Sequence, residues 1–280
     1  MPITVKLAGG LGNQMFQFAM GLCHARRLKT DLRLDVGKYK RDSMREYSLG
    51  FFPRIQCQFQ LVEDVPYTIS ESSMLYSHNL AESIKDGDVI NGYYQTEKYF
   101  RHGVVSVKWE LRTLFEPRAL SPDHRRWFKR IFESQNPTFL TIRRTDYVGN
   151  TFHGEMTNDY YREALAQICD RTGWIPQVFV FSDEPEWCRE NLQLQYPFEI
   201  AGTFDRTVKG HLGREDGDLY LMSMCKNAVM ANSTFSWWGA WLGDSLRKTN
   251  GGFVIGPKKW FGSTSNEDPR DIIPERWIKI

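Results

Sequence analysis

The sequence predicts an α/β protein built on parallel sheets. The chain opens as strand, glycine turn, helix and strand, and from about residue 138 short apolar runs alternate with helical patterns. Repeated strand–helix units give a parallel sheet covered on both faces, because each crossover lays a helix over the sheet. At ~150 residues per domain, 280 residues make one large domain or two small ones.

Residues 3–8 read as a short buried strand, followed by a glycine loop over 9–14. Met15, Phe18, Ala19, Leu22 and Cys23 then recur at helical spacing, which carries a helix to about Lys29. Residues 31–36 alternate like a second strand, and this order opens a Rossmann-like unit. Between about 40 and 135 the signals are weaker, with a strand over 89–94 and a helix over 122–133. Asn136 and Pro137 form a break, so a first domain is expected over 1–135 and a second over 136–280. Strands follow at 138–142, 178–181, 227–231 and 253–255. Helices are expected at 159–171, from Pro185 onward and at about 234–247.

Composition narrows the functional class. Charged residues are 25% and the hydrophobic group is 41%, enough for a folded core. A net charge of +2 without a long basic block leaves no electrostatic footprint for a nucleic acid. Five dispersed cysteines lack any C-x-x-C pair, which fits buried free thiols in a reducing compartment. The opening residues lack the pattern of a signal peptide, and no run reaches the ~18–20 apolar residues of a membrane span. The expected location is cytoplasmic, or peripheral at a membrane surface if the ligand is lipid-linked.

Ligands of open α/β sheets sit beyond the carboxyl ends of the strands, so the residues there are the candidates. Gly9, Gly10, Gly12, Asn13 and Gln14 form an anion-tolerant loop before a helix. The loop lacks the lysine of a Walker motif and has Met15 where the dinucleotide fingerprint needs glycine. Arg143 and Arg144 end a strand and precede Asp146, a pattern suited to a diphosphate. Alternation places Thr141 and Arg143 on one face and Arg144 on the other. One arginine, Arg143, is expected to hold phosphate while its neighbour pairs with a carboxylate. Asp183 either accepts hydrogen bonds from a guanine or caps the next helix. Ser233, Thr234, Phe235 and Ser236 start a helix whose hydroxyls and amides suit an anion. Trp237 and Trp241, at i, i+4 spacing, read as core packing.

Two Asp-Gly-Asp triplets, at 86–88 and 216–218, read as turns and caps preceding a strand and a helix, rather than as metal sites. The six histidines show no ligand spacing, and a G-x-S-x-G hydrolase elbow is absent.

Taken together these motifs resemble the α-1,2-fucosyltransferases of glycosyltransferase family 11. The resemblance rests on the opening 9–19, on Arg143 to Val148, on Phe181 to Asp183 and on 232–241, with further likeness at 92–100 and 273–278. It implies a GT-B-like fold: two Rossmann-like domains whose parallel sheets face a central cleft, with the last helix packing back on the first domain. It implies GDP-β-L-fucose as donor, a galactoside-terminated oligosaccharide or glycolipid as acceptor, inversion to an α linkage, and no metal or other cofactor. By the same resemblance Arg143 contacts the diphosphate, Asp183 the guanine and residues 233–236 the phosphates, while Asn13 and the glycine loop face the fucose. The family usually has histidine where this chain has Thr141.

The expected chemistry is a single displacement with Arg143 stabilising the departing diphosphate. Asp146 ranks first as the base, unless it pairs with Arg144; Glu155, Asp159 and His153 are the other candidates. The rivals are a fucosyltransferase of other linkage, α-1,6 or protein O-linked, a non-catalytic nucleotide- or glycan-binding protein, and an NAD-dependent oxidoreductase resting on Gly10, Gly12 and Asp35.

Overall fold

The computed structural model describes residues 1–101, 107–117, 119–203 and 215–280. The chain forms two compact units, the first from residues 1–118 with 267–274 and the second from 119–266 with 275–280.

In the first unit, β1 (Ile3–Lys6) leads through the glycine loop into α1 (Leu11–Leu28) and then β2 (Leu32–Asp35). Gly9 takes φ +75, a left-handed turn that glycine enters without a Cβ clash. α1 ends at Lys29 in the same left-handed region, with Arg26 and Arg27 in its last turn favouring the helix dipole. A Cβ at Gly21 would fall 2.3 Å from Val5 Cγ2, so glycine allows α1 to lie close on β1. The chain continues through α2 (Pro53–Gln58), β3 (Gln60–Val62), β4 (Ile69–Ser70), α3 (His78–Ser83) and β5 (Val89–Asn91). α4 (Lys98–Arg101) and α5 (Lys108–Leu114) complete the unit. Its sheet has the order β3-β2-β1-β5-β4 with every pairing parallel.

The second unit begins with α6 (Pro122–Glu133), capped by the Ser121 side chain, which accepts from His124 N. β6 (Pro137–Ile142), α7 (Asn158–Thr172), β7 (Gln177–Ser182), α8 (Pro185–Asn191) and β8 (Phe198–Thr203) follow. Then come α9 (Glu215–Met224), β9 (Asn227–Val229), α10 (Thr234–Thr249), β10 (Val254–Gly256) and β11 (Ile278–Lys279). The sheet order is β11-β10-β9-β6-β7-β8, again parallel throughout. β6 is buried at all six positions, as expected of a central strand covered on both faces. Leu140, Val180, Val229 and Ile255 pack with Ala164, Leu165 and Ile168 of α7 on one face. Trp237 and Trp241 stack at 6.1 Å and are buried, which places them in the core.

The segments at 92–100 and 267–274 meet within the first unit. Lys98 Nζ donates to Asp271 Oδ1 at 2.5 Å, and Tyr76 N donates to Asp271 Oδ2 at 3.0 Å. The resemblance implied a last helix returning to the first domain. The returning stretch, Glu267–Pro274, is instead turns and irregular backbone. The final residues dock on α10: Asp244 accepts from Arg276 Nε at 2.6 Å and from Trp277 Nε1 at 3.1 Å.

Two expectations need correction. The triplet at 216–218 does not precede a helix but forms part of the first turn of α9, where Asp218 faces His124 Nε2 at 3.2 Å. The cysteines are free, yet not all are buried: Cys57 is exposed and Cys169 half-buried. No helix among the described residues is long and apolar enough to cross a membrane.

Candidate functional site

The candidate residues of the first unit gather around the glycine loop. Gly10 caps α1 and Gly12 is buried in its first turn. Asn13 Oδ1 accepts from Gln95 Nε2 at 2.9 Å, which ties the loop to the segment at 92–100. Gln14 is wholly buried, and its amide group is fully engaged. Nε2 donates to the carbonyls of Gly9 (3.0 Å) and Glu46 (2.8 Å), and Oε1 accepts from the amides of Ser48 (2.8 Å) and Leu49 (3.2 Å). Two donors and two lone pairs are all that a glutamine offers. Gln14, expected to touch substrate, is therefore a staple between the glycine loop and residues 46–49.

The Asp35 carboxylate is likewise occupied. It accepts from Lys6 Nζ at 2.5 Å, Gly37 N at 2.9 Å, Asp64 N at 3.0 Å and Val65 N at 2.9 Å. Burial alone would raise its pKa, but the Lys6 pair and the Gly37 and Val65 amides outweigh burial and hold it below the usual range. No lone pair remains for a ribose hydroxyl, so the NAD-dependent reading loses one of the three residues it rested on.

In the second unit the carboxyl ends of β6 and β7 carry a dense ionic cluster. Arg143 leaves β6 buried, with Nη1 donating to Asp183 and Nη2 donating to Asp146. Its guanidinium lies 5.3 Å from the Tyr147 ring centroid. Arg144 points the other way, as alternation requires. Its Nε donates to Glu184 at 2.9 Å, its Nη1 donates to Glu155 at 2.7 Å, and its guanidinium stacks 3.8 Å over Trp187 of α8.

Asp183 neither caps α8 nor presents a carboxylate edge to solvent. The capping position is Glu184, whose N–H is bonded by Ser182 Oγ at 3.0 Å. Asp183 instead accepts from Arg143, from Arg144 N at 3.0 Å and from Thr145 Oγ1 at 2.7 Å, with its side chain 0% exposed. Behind it, burial pushes the Cys188 thiol up to about 11, too high for a nucleophile at neutral pH.

Both arginines are thus paired with carboxylates, where one was expected to be left for phosphate. Asp146 pairs with Arg143 rather than Arg144. Asp159 lies apart, in the first turn of α7, paired with Arg162. His153 packs on the Tyr147 ring at 4.5 Å.

The start of α10 adjoins this cluster. Tyr147 Oη donates to the Asn232 carbonyl at 3.2 Å. Asn232 Nδ2 donates to the carbonyls of His153 (2.8 Å), Gly154 (3.2 Å) and Trp260 (2.9 Å), pinning the β6 loop to the helix start. Ser233 is the N-cap and makes no side-chain bond to the helix, Thr234 is half-buried, and Phe235 and Ser236 are buried. Thr141 Oγ1 accepts from Ala231 N at 2.8 Å, so it holds the end of β9.

Sequence reasoning missed Thr145, Glu184 and Trp187 as members of this cluster. Glu184 directly follows Asp183 and was legible as a second strand-end acid. Trp187 required the placement of α8. Among the described residues, no three histidine, cysteine or acidic side chains come together as metal ligands.

The sequence pattern of glycosyl transferase family 11 matches residues 124–280, more than half of the chain and all of the ionic cluster. An Escherichia coli protein named alpha-1,2-colitosyltransferase is 30% identical over 303 residues, covering 99% of this chain and 98% of that one. The Escherichia coli O-antigen biosynthesis glycosyltransferase WbnK is 29% identical over 312 residues, covering 98% and 99%. The solved structure of an Arabidopsis thaliana FUT1 mutant in complex with GDP matches at a TM-score of 0.51 and 13% identity, over 95% of this chain and 74% of that one. That likeness is one of fold, which is GT-B-like. Family match, full-length relatives and fold agree: the chain is a glycosyltransferase and belongs to glycosyl transferase family 11.

Proposed function

We propose that the protein transfers L-fucose from GDP-β-L-fucose to the 2-hydroxyl of a terminal galactoside, with inversion and without a metal ion. The observation that carries this is the buried Arg143 at the end of β6, beside the start of α10, in a chain of family 11. The acceptor hydroxyl attacks the anomeric carbon as the bond to GDP breaks, and negative charge grows on the departing diphosphate. A rigid guanidinium and a helix N-terminus both favour that charge in a partly dry site. The hydroxyl proton passes to a carboxylate, for which Asp146 is the candidate nearest Arg143. Donor, linkage, acceptor and metal independence are parts of the proposal.

The test is GDP release from GDP-fucose with and without lactose, in the presence of a chelator. Lactose-dependent release that survives the chelator, with a 2-linked fucosyl product by NMR, is the expected result. Release abolished by the chelator overturns metal independence. A product of other linkage overturns the 2-hydroxyl assignment.

A second reading concerns the sugar alone. The relative named alpha-1,2-colitosyltransferase is similar along its whole length. A colitosyl donor used in preference to GDP-fucose would replace fucose in the proposal and leave the rest standing.

A further inference from the structure

Among the described residues at the ends of β6 and β7, two guanidinium groups face four carboxylates: Arg143 with Asp146 and Asp183, and Arg144 with Glu155 and Glu184. These described groups carry excess negative charge among themselves. A diphosphate brings more, and like charges crowded in a partly dry site repel strongly. Phosphate approaching the Nη1–Nη2 edge of Arg143 therefore meets two carboxylates already seated there, and to bond that edge it displaces one of them.

The two partners of Arg143 differ in what leaving would cost. Asp183 is 0% exposed at its side chain and also accepts from Arg144 N and Thr145 Oγ1. Parting it from Arg143 would strand a buried charge. Asp146 is 31% exposed at its side chain, where it also accepts from Thr145 Oγ1 at 3.4 Å, so water already reaches its carboxylate. Arg143 is also the arginine beside α10, through Tyr147 and the Asn232 carbonyl.

We infer that a donor phosphate exchanges with Asp146 on Nη2 of Arg143. Phosphate oxygen takes over the Nη2 bond, and Asp183 keeps Nη1 and so holds the guanidinium plane in place. The released Asp146 carboxylate then accepts the proton of the acceptor hydroxyl. Donor binding and the freeing of the base are one event. This rests on the GDP-sugar reading above and deepens it: Asp183 becomes a positioning residue for Arg143 rather than a guanine contact.

Calorimetric titration of the intact chain with GDP tests the exchange. Asp146→Asn removes the competitor, so GDP binds about two- to fivefold tighter while turnover falls, the scale set by a partly exposed ion pair. Asp146→Ser gives the same order by a different side chain, in case the amide disturbs the loop. Glu155→Gln removes equal charge from the same cluster without vacating Nη2, and tightens GDP less. The exchange is overturned if the unaltered protein binds GDP and neither Asp146 variant binds it more tightly. It is equally overturned if Glu155→Gln tightens GDP as much, since the effect is then through space. If the unaltered protein binds no GDP, the donor reading itself falls and the exchange falls with it.

Discussion

The guanidinium of Arg143 and the carboxylate of Asp183 are joined across the carboxyl ends of two adjacent strands, both groups almost wholly withdrawn from water. Such a pair contributes little net stability while intact, yet removal of one partner leaves the other charged and dry. Asp183→Ala is expected to destabilise the second unit by about 3–5 kcal/mol. Urea unfolding measures this, and a loss under about 1 kcal/mol would show that Arg143 finds another partner.

Arg143→Lys keeps the charge and removes the fork. An ammonium group is a compact point charge and does not reproduce the planar bridge from Asp183 to a second anion. Turnover is expected to fall by about 10²–10³, the cost of one well-placed donor to a developing anion. Steady-state kinetics with the fold checked by melting decide it; a rate within a few-fold of the unaltered enzyme removes Arg143 from the mechanism.

Gln14→Leu preserves bulk and leaves the buried amides of Ser48 and Leu49 without their partner, while the Gly9 and Glu46 carbonyls keep Tyr39 Oη and Ser48 Oγ. The expected cost is about 2–4 kcal/mol of stability. Were the variant as stable as the parent but unable to bind donor, Gln14 would be a substrate contact after all.

His24 gives the first unit an acid-sensitive element. Its Nδ1 lies 3.1 Å from Arg27 Nη2, its Nε2 is buried without a hydrogen-bond partner, and its pKa is lowered to about 4 by burial and then by Arg27. The unfolded chain takes up this proton near pH 6.5. Stability from the neutral ring is therefore complete above about pH 6.5, is lost as pH falls toward about 4, and is constant below. The loss is about 3 kcal/mol. In His24→Gln the difference in unfolding free energy between pH 7 and pH 4 should shrink by that amount; an unchanged difference would assign the acid sensitivity to other groups.

How far the fold was legible depended on where a strand sits. β1, β2 and β5 of the first sheet, and β6, β7, β9 and β10 of the second, were all read from their residues. β3, β4, β8 and β11 were not, and these are the four edge strands. An interior strand is covered on both faces and must be an apolar run. An edge strand such as Gln60–Val62 or Ile278–Lys279 is short and partly exposed, and it becomes a strand because a neighbour pairs with it. The α9 start was misread for a related reason, since Asp218 looks like a turn residue until His124 is set beside it.

The sequence by itself determined the α/β class, the interior strands, the family and the strand-end positions of Arg143, Arg144 and Asp183. Periodicity and motif order are local properties and survive in one dimension. Which charges neutralise one another was decided only in the tertiary structure. Asp183 stands 40 residues from Arg143 and meets it because β6 and β7 pair in register, Ile142 opposite Ser182. Gln14 and Asp35 look like ligand contacts in sequence and prove to be staples, because most of the groups that saturate them come from loops 29 to 35 residues away in the chain. Whether a polar side chain is left for a ligand depends on the bonds that folding has already made with it, and those bonds exist only once distant segments have met.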